Sequence, residues 1–201
     1  MVQSRRITTT PSYARIGDVM SGNDLDLSAG SLLVASPVLI DPNFYKTVVL
    51  MLQCDGDGAV GVVLNRPSEE PVESHLPEWV RRLEDPPVVF VGGPVDRTVA
   101  IGVVRANRPS EPTAVTGVGM VDLASDPAAA TPGPVRVFSG YAGWGPGQAE
   151  AEIAEGAWFV LEARADDVFT SSPADLWSTV LRRQGGRLAM WATFPPDPSM
   201  N

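Results

Sequence analysis

Lys46-Thr47-Val48-Val49-Leu50-Met51-Leu52-Gln53-Cys54-Asp55-Gly56-Asp57-Gly58-Ala59-Val60-Gly61-Val62-Val63-Leu64 sets two apolar, β-branched runs on either side of a short Asp/Gly loop. Such a loop between two runs of this kind predicts a β-hairpin, and the first run is apolar on both faces, as a strand covered on both sides must be. The loop does not fit an EF-hand, because the ligand spacing and the closing glutamate are missing. Upstream, Gly30-Ser31-Leu32-Leu33-Val34-Ala35-Ser36 predicts a strand ended by Pro37, and Asp41-Pro42-Asn43 is turn chemistry.

Downstream, strands are predicted at Val88-Val89-Phe90-Val91, at Val99 to Val104 after Gly92-Gly93-Pro94, at Val135 to Phe138 and at Ala157 to Glu162. The Pro, Ser, Thr and Ala content of 106–134 predicts a long loop with a short strand near Val118 to Val121. One short helix is expected from Gln148 to Glu155, closed by Gly156. A second opens at Ser172-Pro173-Ala174-Asp175, with Ser172 as N-cap, and closes at Gly185-Gly186. Leu176, Val180 and Leu181 give it a buried face that Trp177 widens. A last apolar run, Leu188 to Ala192, precedes the Pro-rich Pro195-Pro196-Asp197-Pro198. Many strands with few helices and no βαβ alternation imply an α+β domain whose sheet is largely antiparallel or mixed.

With 201 residues, 44% of them hydrophobic, the chain has material for one substantial core. The expected organisation is a mostly flexible N-terminal arm over 1–28 and a single domain over 29–201. A net charge of −9 argues against direct nucleic-acid binding, whose non-specific part is electrostatic. The pairs Arg81-Arg82 and Arg182-Arg183 read as solvated helix ends. Cys54 is the only cysteine, which excludes an internal disulfide and a multi-thiolate metal site. The leader has no apolar h-region and no stretch approaches the roughly 18 apolar residues of a membrane span, so a cytoplasmic location is expected.

Phe138-Ser139-Gly140-Tyr141-Ala142-Gly143-Trp144-Gly145-Pro146-Gly147-Gln148 packs glycines and two large aromatics ahead of a helix, which suggests a shaped turn. The N–H groups of Gly145, Gly147 and Gln148 lie at or near a helix N-terminus and suit a small anion. The alternative is a tight turn pinned by Trp144, with Glu150 and Glu152 complementing the helix dipole. Leu64-Asn65-Arg66-Pro67 places an amide and a guanidinium at a strand end. Arg66 is the best anion partner in the sequence, unless it pairs with Asp41 or Glu69. Gly92-Gly93-Pro94 lacks the Lys-Ser/Thr of a phosphate loop and reads as a strand-ending turn. His75 stands alone, Ser139 is not in a G-x-S-x-G elbow, and Asp166-Asp167 are merely adjacent, so no catalytic constellation, metal set or cofactor site emerges.

Several of these segments, taken in order, resemble the YqgE/AlgH family of bacterial proteins from about Gly30 to Asn201. They are Gly30 to Ala35 with Asp41-Pro42-Asn43-Phe44, Leu64-Asn65-Arg66-Pro67, Gly92-Gly93-Pro94-Val95, the stretch from Gly140 to Gln148, Ala157-Trp158 and Asp197-Pro198-Ser199-Met200-Asn201. The resemblance implies an α+β fold in which a bifurcated mixed sheet curls into a pseudo-barrel flanked by helices. One branch of that family carries the name of a transcriptional regulator of alginate biosynthesis, which no basic recognition helix supports here. The leading expectation is a non-enzymatic module that binds a small anion, a metabolite or a protein through Asn65, Arg66, Tyr141, Trp144, Gly145, Gly147 and Gln148. The runner-up is an enzyme whose cleft joins these same segments and uses an acid such as Asp41.

Overall fold

The predicted hairpin is present in a computed structural model that describes residues 25–193. Strands β1 (Ser31–Ala35), β2 (Val48–Asp55) and β3 (Gly58–Val63) run antiparallel in succession, with Asp55 opposite Gly58 at the hairpin tip. They are followed by β4 (Pro67–Pro71), β5 (Val88–Val91), β6 (Val95–Arg105), β7 (Glu111–Pro112), β8 (Val118–Val121), β9 (Val135–Trp144) and β10 (Trp158–Glu162). The helices are α1 (Gln148–Ala154), α2 (Ala165–Val168), α3 (Leu176–Gln184) and α4 (Gly186–Trp191). Short 3-10 turns cover Val72–Ser74, Pro77–Arg82 and Pro173–Asp175.

The strands form a curled half-barrel sheet in the order β10-β1-β2-β3-β9-β6-β8-β7. β5 joins β9 in parallel, and β4 pairs with β5 in turn. β9 is therefore the branch point. Phe138 faces Phe90 on one edge and Ile101 on the other, while farther along Ala142 faces Gly61 of β3. The sheet is bifurcated and mixed, as the resemblance implied, and largely antiparallel, as the order of strands and helices implied.

β2 lies in the middle of the sheet, and successive residues bury into different cores. Val48 and Leu50 pack with Leu176, Trp177, Val180 and Leu181 of α3 on one face, so the buried helix face expected from the sequence is present. Val49 and Met51 pack with Trp144, Trp158 and Ala149 on the other. A buried aliphatic side chain contributes about 1.5–3 kcal/mol, so β2 could not alternate with polar residues here. A third core holds Val72, Trp79, Val135 and Val137.

Several expectations need correction. Residues 138–144 are not a turn but the second half of β9, and only Gly145–Gly147 bends the chain. The glycines there serve a close crossing. After β5 the chain passes over β9, and a Cβ on Gly140, whose φ is 69°, would sit 2.7 Å from the Val95 carbonyl oxygen. A Cβ on Gly93 would fall well inside the Tyr141 carbonyl group. Ser172 makes no side-chain cap; its carbonyl accepts the Asp175 N–H in a 3-10 turn, and α3 begins at Leu176. Gly185 ends α3 as expected, but Gly186 starts α4, so the last apolar run is helical.

The arginine pairs are not simply solvated. Arg82 donates to the carbonyls of Pro127, Thr131 and Gly133 and lies over Trp79, and burial lowers its pKa. Arg183 pairs with buried Asp167 at 2.6 Å. Their partners come from the 127–133 loop and from α2, which sequence adjacency does not show. Of the N-terminal arm, 1–24 lies outside the described residues, as does the ending from Pro195 to Asn201. Leu27 packs against the second core, and the Ser31 N–H donates to the Ser28 carbonyl.

Candidate functional site

Leu64-Asn65-Arg66-Pro67 leaves the end of β3 through bonds that fix each residue differently. Leu64 is buried, and its N–H donates to Val48. The Asn65 amide acts as an extra rung of sheet: Oδ1 accepts the Val48 N–H at 2.9 Å and Nδ2 donates to the Lys46 carbonyl at 2.9 Å. It holds the 44–47 loop, in which Lys46 adopts a φ of 53°. Among the described residues Arg66 is tethered at one corner only, Nη2 donating to the Tyr45 carbonyl at 2.7 Å. Its carbonyl accepts from Val91, which locks β5 beside it.

Arg97, just after the crossing over β9, lines the same cleft as Arg66. Its backbone is pinned, because Ser139 Oγ donates to its carbonyl at 2.7 Å. Asp96, at a φ of 37°, turns the chain there and accepts from the Thr98 N–H and hydroxyl. The two arginines line one cleft of about 250 Å³ with Asn43. Pro42, Val63, Pro67, Val91 and Pro94 complete its walls with Gly93. Among the described residues neither guanidinium has a carboxylate within ion-pair distance; the ion pairs are His75–Glu70, Arg105–Asp166 and Arg183–Asp167. The expected alternative partner Asp41 instead accepts the Asn43 N–H at 2.8 Å.

Trp144 has a different environment. Its Nε1 donates to Glu152 Oε2 at 3.0 Å, and Trp158 Nε1 donates to the same oxygen at 2.8 Å. Gln148 Nε2 donates to Oε1 at 2.9 Å, and Gln148 Oε1 accepts the Gly145 N–H at 3.1 Å. Phe44 sits 5.4 Å from the Trp158 ring in an edge contact. One carboxylate thus ties β9, α1 and β10 together beneath an aromatic cap. Glu152 is not a first-turn acid complementing the dipole; Glu150 has that place.

Tyr141 and Trp144 border a second, shallow depression of about 310 Å³ with Gln53, Asp55, Asp57 and Val95. The chain crossing at Gly93 to Val95 separates it from the arginine cleft. The seven residues singled out in the sequence therefore fall into three places: Arg66 in the cleft, Asn65 within the sheet, and Tyr141, Trp144, Gly145, Gly147 and Gln148 around the indole cluster and its turn. Cys54 is half-buried at the end of β2, and burial, then Glu150 and Asp55, raise its pKa. A thiol held protonated in this way is a poor nucleophile. His75 is an exposed partner of Glu70. No cluster of histidine, cysteine and carboxylate side chains suited to a metal occurs among the described residues.

Sequence reasoning missed Arg97. It follows Gly92-Gly93-Pro94-Val95-Asp96 with no motif spacing of its own, and only the crossing brings it to the cleft that Arg66 lines. The Asp96-Arg97-Thr98 turn was the one local signal, because an aspartate two residues before a threonine favours a local side-chain bond. The indole-bridging role of Glu152 had no such signal, since its two donors lie eight residues before it and six after.

A bifurcated sheet curled into a half-barrel, with a short helix after its branch strand, defines a distinct class of α+β domain. The chain belongs to the AlgH-like family, whose model matches residues 32–189. A UPF0301 protein of Streptomyces coelicolor is 48% identical over 193 residues, covering 90% of this chain and 100% of the relative. One from Mycobacterium tuberculosis is 42% identical over 183 residues, covering 86% and 90%. The crystal structure of a Corynebacterium diphtheriae protein superposes with a TM-score of 0.82 at 30% identity, covering 91% of this chain and all of that one. The solution structure of AlgH from Pseudomonas aeruginosa gives 0.63 at 25% identity, covering 86% and 100%. No helix among the described residues is long and apolar enough to cross a membrane.

Proposed function

We propose that this protein is a non-enzymatic binding module that takes an anionic ligand in the cleft between Arg66 and Arg97. The observation that carries the reading is a pair of guanidiniums lining one concavity without a carboxylate partner among the described residues. Guanidinium forks match the planar oxygens of an anion, and such charge-assisted bonds are about twice as strong as neutral ones. The lining favours binding over catalysis: it holds no acid, histidine, lysine, cysteine or hydroxyl to act as base or nucleophile. Asp41, the acid an enzymatic reading would use, is exposed and turned into its own loop.

A direct DNA-binding regulator has less support. The chain is acidic overall, and two arginines at a small cleft do not make a phosphate-tracking stripe. Thermal shift against a panel of small carboxylates and phosphates tests the module. At least one anion should raise the melting temperature of the wild type and leave Arg66→Ala and Arg97→Ala unshifted. A shift of equal size in both variants would remove the cleft from the account.

A further inference from the structure

The ligand class can be narrowed from the walls of the cleft, an inference that rests on the anion reading above. Five of its nine lining residues are proline or valine, so an anion entering it must also bring an apolar surface. Three are prolines, which have no N–H. The backbone donors of Asn43, Val63 and Val91 are already taken, by Asp41 Oδ1, the Gly92 carbonyl and the Arg66 carbonyl. Phosphate sites ordinarily wrap the group in a nest of free backbone N–H donors, because it carries three acceptor oxygens and up to about two charges. Three of the six N–H groups in this lining are thus spent, which leaves at most those of Arg66, Gly93 and Arg97 for an anion.

What it offers is two planar forks on an aliphatic surface. At about 250 Å³ it is also smaller than the roughly 300–1,000 Å³ typical of sites for drug-sized ligands. No aromatic ring lines it, so a nucleobase would have nothing to stack on. We infer that the cleft binds a carboxylate attached to a compact branched aliphatic group, with the carboxylate between Arg66 and Arg97 and the aliphatic part against Pro42, Val63, Pro67 and Pro94. The C-terminal residue of a peptide and a free branched-chain acid share this chemistry. Asn43 lines the cleft as well, and its side-chain amide is the group there whose chemistry suits the amide that only the peptide has.

Titration calorimetry of the full chain with four probes tests the inference: N-acetyl-leucine, isovalerate, N-acetyl-leucinamide and inorganic phosphate. Binding of one or both acids is expected, the tighter of the two identifying the source, with at least about tenfold weakening when the carboxylate is replaced by the amide or when Arg97 is changed to Gln. Arg97→Gln is the decisive variant, because no bond of its side chain to the described residues would be lost on substitution. Circular dichroism should show it folded as the wild type is.

Phosphate that binds at least as tightly as the acids, and is lost in Arg97→Gln, overturns the aliphatic carboxylate while leaving an anion site. Acid binding that survives in the amide or in Arg97→Gln also overturns it. No binding by any of the four probes overturns the carboxylate and counts equally against the anion module itself.

Discussion

Replacing Glu152 with alanine removes the acceptor shared by two indoles, and the cost can be worked from the geometry. Trp144 and Trp158 are 6% and 1% exposed, and their Nε1 atoms reach Oε2 at 3.0 and 2.8 Å. A buried donor left without a partner costs about 1–3 kcal/mol. Two of them would give about 2–6 kcal/mol, but Glu152 itself is only half-buried, so water reaches the rim and the expected loss is about 3 kcal/mol. For a chain of this size that lowers the melting temperature by about 6–12 °C.

Glu152→Gln is the finer probe. Its amide oxygen can occupy the Oε2 position and keep both indoles, but its nitrogen then faces Gln148 Nε2, donor against donor. The expected loss is about 1–2 kcal/mol, from the weaker neutral acceptor and the Gln148 contact. Gln148→Ala, at an exposed position, should cost least. Urea unfolding followed by far-ultraviolet circular dichroism and tryptophan fluorescence measures all three, with an unchanged m-value confirming the same transition. A loss below about 1 kcal/mol in Glu152→Ala, or equal losses in the alanine and glutamine variants, would refute the shared-acceptor argument.

Further expectations concern the crossing, the buried arginine and the thiol. Gly93→Ala places a methyl group against the Tyr141 carbonyl, where neither backbone can yield; it should cost about 3 kcal/mol, and stability within 1 kcal/mol of wild type would mean that the crossing is loose. Arg136 is 2% exposed and donates to the carbonyls of Asp85, Val168 and Thr170 at 2.6, 2.8 and 2.9 Å, so Arg136→Lys, which cannot reach all three, should lose about 2–3 kcal/mol in urea unfolding. Burial lowers the Arg136 pKa to about 10, well below that of an exposed guanidinium, so the unfolded chain holds more protons only above about pH 10. The stability difference between wild type and Arg136→Met should therefore be flat from pH 6 to 9 and shift in favour of the wild type only above about pH 10; a slope at neutral pH would contradict this. Cys54, with its pKa raised by burial and two acids, should react with a disulfide reagent at pH 8 more slowly than glutathione does, and faster labelling would place the thiol in a different environment.

The fold was legible wherever one residue's neighbours decide its state. The hairpin around Gly56 and Asp57, the strands on either side of it and the buried face of α3 follow from local pattern and turn chemistry. The glycine stretch misled for a physical reason: glycine serves tight turns and close approach alike, and at Gly140 the need is for room beneath Val95. Alternation was present there all along, Phe138, Gly140, Ala142 and Trp144 being buried while Ser139, Tyr141 and Gly143 are less so. At the site, Arg66 was readable as a polar residue ending a buried strand. Arg97 was not, because its place depends on a crossing that no local pattern encodes. The bridging role of Glu152 was hidden in the same way, since its donors come from β9 and β10.

The arginine cleft is most directly tested by the side-chain Nε–H resonances of Arg66 and Arg97 in a nitrogen-15 spectrum, assigned by their loss in Arg66→Lys and Arg97→Lys. Titration with isovalerate should move both along one binding curve, while the Nε–H of Arg82 stays in place. Two unmoved signals, or movement of Arg97 alone, would contradict a shared anion site.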